Sequence, residues 1–116
     1  MLDADRHKEF YTEERCFITE ILNSSEHDGM SIARARVEPH VSTQLHKLSV
    51  DEVYYVLEGQ GEVQINNKSK QVIGKGDSIL IHAGESQTIT NLLSVDLVFL
   101  CICSPRFIPE SYTSLE

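Results

Sequence analysis

Residues 51–91, DEVYYVLEGQGEVQINNKSKQVIGKGDSILIHAGESQTITN, decide the fold. Apolar and polar positions alternate through residues 52–57, 62–65, 71–73, 77–81 and 86–91, the period of two that sends successive side chains to opposite faces of a strand. Between these runs stand Gly59-Gln60-Gly61, Asn66-Asn67-Lys68, Gly74-Lys75-Gly76 and Ala83-Gly84-Glu85, residue types that turn a chain tightly. Neither glycine pair opens a helix, so both serve turns rather than a phosphate loop.

Outward from this stretch the same grammar continues. Residues 97–103, LVFLCIC, form an apolar strand ended by Pro105. On the other side, residues 16–22 are β-rich, residues 23–29 (NSSEHDG) are turn formers, and residues 30–37 alternate again. In that last run Ala33, Ala35 and Val37 share one face, and Ile32, Arg34 and Arg36 share the other. No helical period runs through the central region, and short, evenly spaced strands predict an antiparallel sandwich or barrel of the jelly-roll kind. The first fifteen residues are polar and predict a loop or short frayed helix with no assigned function. Residues 105–116 predict a tail lying over the barrel or over a neighbouring subunit.

The 116 residues suffice for one core and not for two, so residues 1–116 are taken as one domain with its barrel over about residues 16–104. Ten lysines and arginines against eighteen acidic residues give a net charge of −8, which argues against nucleic acid and acidic membrane surfaces as partners. The longest apolar run is strand-sized and the N-terminus is charged where a secretory signal is apolar, so a soluble, cytoplasmic protein is expected. The three cysteines, Cys16, Cys101 and Cys103, make no disulfide framework and no Cys-x-x-Cys pair, and the last two read as packing residues of a strand.

Two segments, residues 39–61 (PHVSTQLHKLSVDEVYYVLEGQG) and 76–91 (GDSILIHAGESQTITN), resemble the paired motifs of the cupin superfamily. The first is similar to a histidine, a spacer, a second histidine, a glutamate and a downstream glycine; the second to a spaced series of glycine, proline, glycine, histidine and asparagine. The resemblance implies a small single-domain cupin, of the mannose-6-phosphate isomerase-like type, with an all-β double-stranded β-helix barrel. It further implies homodimerisation through edge strands and a metal held by ligands from both motifs. Matched residue by residue, His46 stands for the first histidine and Glu52 for the glutamate, but Leu48 replaces the second histidine, Gln87 the last, and His82 the proline. Leucine has no lone pair to donate, and an amide oxygen is a weaker ligand than imidazole for late transition metals. The chain end, FLCICSPRF followed by Pro109 and Glu110, also resembles small cupins that carry glutamine at this place.

With Glu52 pointing inward, alternation puts Tyr54 and Val56 beside it, pairs His46 with Leu48, and groups Gln87 with Ile89 and Asn91. Two readings of the site stay open. In one, His46, Glu52 and Gln87 hold a divalent zinc, manganese, iron or nickel ion that polarises a small sugar, keto acid or hydroxy acid for isomerase, lyase or oxygenase chemistry. Tyr54 or Arg34 then positions the substrate. In the other, these side chains form a buried hydrogen-bond network in a metal-free pocket that binds a small molecule without turnover or serves a structural role. Arg34 and Arg36 either fork onto a substrate carboxylate or phosphate or pair with acidic residues across the outer face of the sheet. His82 reads as a rim residue, His40 as a loop residue, and His7 and His27 as solvated.

Overall fold

Alternation becomes pleat at the places expected, in a computed structural model that describes residues 8–116; His7 lies outside the described residues. The strands are β1 (Phe10–Tyr11), β2 (Phe17–Ser24), β3 (His27–Val37), β4 (His46–Leu48), β5 (Asp51–Glu58) and β6 (Gln60–Ile65). They continue with β7 (Gln71–Gly74), β8 (Ser78–Ile81), β9 (Ser86–Asn91), β10 (Leu97–Ser104) and β11 (Tyr112–Ser114), the last preceded by a 3-10 turn at Pro109–Ser111. One sheet runs β1-β2-β3-β10-β5-β8 and the other β11-β4-β9-β6-β7, with antiparallel pairing throughout. This is an all-β jelly-roll barrel. No helix among the described residues is long and apolar enough to cross a membrane.

The inner faces of both sheets carry the apolar positions of the alternating runs. Val37, Val56, Val63, Ile89, Leu97 and Phe99 are buried in one cluster, and each such side chain contributes about 1.5–3 kcal/mol by leaving water. A smaller cluster of Leu48, Val50 and Cys103 packs under Phe107 and Tyr112. Gly59 has φ +82°, and a Cβ there would lie 2.8 Å from the Asp96 carbonyl oxygen, so glycine is required twice over. Asn91 is fully buried and works as a brace: its Nδ2 donates to the Val37 and Val95 carbonyls (3.0 and 2.8 Å), and its Oδ1 accepts from the Leu93 amide.

Three expectations from the sequence are corrected here. Residues 23–29 are not a loop: β2 and β3 run through them, because Ser24 pairs with His27 and the Ser24 hydroxyl accepts from the Glu26 amide, leaving a two-residue turn. No helix forms in the described part of the N-terminal lead-in; β1 pairs with β2, and a turn over residues 12–16 follows, closed by Arg15 N donating to the Thr12 carbonyl (3.0 Å). The C-terminal segment is more than a tail, since β11 completes the second sheet by pairing with β4 in the register Tyr112↔Leu48 and Ser114↔His46.

Candidate functional site

The two motifs meet because β4 lies against β9. His46 and Gln87 are register partners, so both side chains point inward from adjacent strands. Glu52 arrives from the facing sheet on β5, where Cys103 of β10 is its cross-strand neighbour. His46, Gln87, Glu52 and Tyr54 are all buried. Beside them lies a cavity of about 350 Å³ lined by His46, Leu48, Glu52, Cys101, Cys103 and Tyr112, and by residues of the N-terminal segment.

A chain of hydrogen bonds links the inner residues. The Tyr54 hydroxyl donates to Gln87 Oε1, and Gln87 Nε2 donates to Glu52 Oε1 at 3.0 Å. Tyr54 therefore stands behind the glutamine rather than in the cavity, with its ring against Phe99 at 4.6 Å between centroids. Burial pushes the Glu52 carboxyl up to about 8; the nearby Glu14 adds to the rise, and bonds from Gln87, Cys103 and Cys101 oppose it. Burial likewise lifts the Tyr54 hydroxyl well above its ordinary value, so it stays a donor.

The other half of the site comes from the chain ends, which carry no motif or periodicity. His46 Nδ1 donates to the Gln44 carbonyl at 2.7 Å, and its Nε2 lies 3.0 Å from Glu14 Oε1. Since a carbonyl only accepts, Nδ1 carries a proton, and the second contact is a proton shared between imidazole and carboxyl. Burial raises the Glu14 carboxyl, with His46 and Cys16 pulling against it. The Tyr112 ring stacks on His46, 4.8 Å between centroids and 17° from parallel. Glu14 is held in place by its own carbonyl accepting from the Gln44 amide (3.0 Å). The next residue, Arg15, forks onto Glu116 (3.0 and 2.9 Å) and so ties the N-terminal turn to the C-terminal segment.

The structure brings together His46, Glu52, Gln87 and Tyr54, and keeps Arg34 apart from them. Arg34 lies on the outer face of β3, half-exposed, with its guanidinium 3.7 Å from Glu9. Arg36 on the same face is bonded to Glu9 and Asp96 and covers the Phe17 ring at 4.1 Å. Small inner residues explain the direction: Ala35 and Val37 are buried on the opposite face of this strand. His40 and His82 are exposed, on a loop and at the rim.

The donor chemistry does not fit a metal ion in this arrangement. The Nε2 of His46 is bonded to Glu14, the ligating oxygen of Gln87 is turned to Tyr54, and Glu52 accepts from Gln87. Leu48 supplies only an apolar wall. Among the described residues, no buried side-chain nitrogen or oxygen lacks a partner, and no three His, Cys, Asp or Glu side chains group as a metal site.

Comparison with known proteins agrees with this architecture. The sequence profile of the cupin domain family matches residues 33–103. An uncharacterized protein of Methanocaldococcus jannaschii is 34% identical over 117 residues, covering 98% of this chain and 93% of that protein. An oxalate-binding protein of Thermotoga maritima is 38% identical over 71 residues, covering 60% of this chain and 58% of that one. The solved structure of KdgF from Halomonas sp. superposes with a TM-score of 0.77 at 16% identity, covering 90% of this chain and 92% of the other, a likeness of fold alone. These comparisons reach the family and not the isomerase-like subtype.

Proposed function

The chain belongs to the cupin domain family, and from that premise we propose that it binds a small molecule in its barrel cavity without a resident metal ion. The observation that carries this reading is the bonding of the motif side chains around a cavity of about 350 Å³, a volume within the range of small-ligand pockets. The walls are largely apolar, supplied by Ile18, Leu48, Phe107 and Pro109, while Glu52 and the His46–Glu14 pair offer a few fixed polar contacts. The network behind them, Tyr54 to Gln87 to Glu52, holds the Glu52 carboxyl in one orientation. A metal-dependent reading would need Glu14 to leave His46 and the Gln87 amide to turn away from Tyr54. Oxalate, which gives the Thermotoga maritima relative its name, would bring two negative charges to largely apolar walls on which no lysine or arginine stands among the described residues, and is not expected to bind.

Two measurements test this. Protein stripped with chelator and offered manganese, iron, nickel and zinc in turn is expected to retain far less than one ion per chain by mass spectrometry. A fragment library screened by ligand-observed NMR is expected to yield binders that are lost when Ala33, which lines the cavity, is enlarged by Ala33→Leu. Near-stoichiometric metal abolished by His46→Ala would overturn the metal-free reading. Fragments that bind Ala33→Leu as well as the wild type would overturn the cavity as the binding site.

A further inference from the structure

We propose that this chain pairs with a second copy of itself through the outer face of the six-stranded sheet. The strand register builds that face. Leu22 pairs with Ile32, Ile32 with Ile102, Ile102 with Val53 and Val53 with Leu80, so one row of five aliphatic side chains crosses β2, β3, β10, β5 and β8. Leu100 and Tyr55 stand beside it in the next row. These seven point away from the barrel interior, and neither core cluster of the described residues takes in any of them. Leu80, Leu22 and Tyr55 are 51%, 42% and 39% exposed. A single exposed leucine is ordinary, but a continuous apolar row across five strands marks a contact surface.

Size and charge choose the occupant. Five strands about 4.8 Å apart, with the eight residues of β5 and β10 at about 3.3 Å each, give a face on the order of 600 Å², and a specific interface takes about 600–1,000 Å² from each partner. Arg34 and Asp51 make the face self-complementary. On the strands that flank β10, Arg34 pairs with Leu100, one pleat to one side of Ile102, and Asp51 pairs with Ser104, one pleat to the other. A two-fold axis lying in the interface, through Ile102 and perpendicular to the line between these two residues, sets each Arg34 against the partner subunit's Asp51. That axis crosses the two sets of strands at a large angle, the orthogonal class of sheet packing, and lays Leu80 over the partner subunit's Tyr55. Arg34 is half-exposed and lies 3.7 Å from Glu9, where Arg36 holds the same carboxylate at 2.8 Å. Asp51 is exposed, with its Oδ1 accepting from the Ala83 amide. Residues 1–7 (MLDADRH) offer two large apolar side chains against this row of five.

The test is sedimentation equilibrium of the full-length protein over a range of concentrations, where a dimer is expected to be more than half formed by about 50 μM. Tyr55→Glu puts a charge into the apolar face at an exposed position of a central strand and is expected to weaken the dimer at least about tenfold, with thermal unfolding reporting that the chain still folds. Arg34→Glu and Asp51→Arg each set like charges together and are expected to weaken it by a similar factor, while the two combined restore most of it. That rescue reads the pairing of the faces and not the stability of the fold, so it decides the matter if Tyr55→Glu does not fold. A monomer at every concentration overturns the proposal, whatever else then covers the row. A dimer that all three single variants leave intact overturns it as well and points to the edge strands. Weakening by Tyr55→Glu with no rescue by the combined exchange overturns the two-fold arrangement.

Discussion

Replacing Glu52 by glutamine is expected to flatten the pH dependence of stability. The ordinary glutamate pKa is about 4.3, and in the folded protein burial first, and the charge of Glu14 second, push Glu52 up to about 8. The folded state therefore keeps a proton that the unfolded chain releases. Stability from this source is fully present below the unfolded value and is lost as pH rises through the folded one. Between those limits the slope is about −1.4 kcal/mol per pH unit, and the whole window amounts to about 5 kcal/mol. That is comparable to the entire stability of a small domain, about 5–15 kcal/mol. With a urea dependence of about 1–3 kcal/mol per molar, the midpoint falls by about 0.5–1.4 M for each pH unit. Of the groups facing Glu52, burial holds Tyr54, Cys101 and Cys103 protonated across this range, Gln87 does not titrate, and Glu14 is itself raised. The assay is urea unfolding of wild type and Glu52→Gln from about pH 5 to about pH 8, read as the difference between the two curves so that other groups cancel. The variant is expected to gain on the wild type steadily as pH rises. Parallel curves would refute the reasoning, because they would mean that Glu52 is ionised in the folded protein across the window.

Two further substitutions probe the frame of the site. Tyr54→Phe removes the donor to Gln87 Oε1 inside a buried network, leaving an unsatisfied acceptor at a cost of about 1–3 kcal/mol; thermal unfolding is expected to fall by about 4 °C or more, and an unchanged midpoint would remove this bond from the account. Gly59→Ala and Gly84→Ala separate backbone strain from collision, since both positions have positive φ (+82° and +87°) but only Gly59 has a backbone oxygen within 4 Å of the added methyl, at 2.8 Å. Gly84→Ala is expected to cost about 1–2 kcal/mol from strain alone and Gly59→Ala clearly more by urea unfolding; equal costs would show that the chain at Asp96 moves aside without penalty.

What was legible in the sequence follows from what a repeating pattern encodes. A strand buried on one face leaves a period of two, so once Glu52 is taken to point inward, counting puts Tyr54 and Val56 on the same face, and all three are buried on β5. The same counting put Arg34 and Arg36 together but left their face open, because two faces of a covered strand differ only in side-chain size and in what lies across from them. Glu9, outside any periodic run, supplies the answer by pairing with both arginines. The convergence of His46 with Gln87 is a matter of register between strands far apart in the chain, which spacing does not encode and the motif resemblance did. Glu14 and Tyr112 carry no pattern at all. Each touches His46 through a contact made only once the ends fold back over the barrel, and a buried imidazole's need for a partner does not say which residue answers it.

That division has a consequence for reading this family from sequence. The cupin profile matches residues 33–103, a span that holds His46, Glu52 and Gln87 and excludes both Glu14 and Tyr112. The matched strands build the barrel and the inner network; the flanking segments supply Phe10, Glu13, Glu14, Phe107 and Tyr112 to the cavity wall. Their joint closure is set by Arg15, whose fork on Glu116 and bond to the Ser42 carbonyl (3.0 Å) stitch both ends to the approach to β4. Part of the charge and shape of the cavity thus comes from residues outside the matched span. A match to the profile alone therefore leaves open what the flanking residues, which no periodicity marks, bring to the cavity wall.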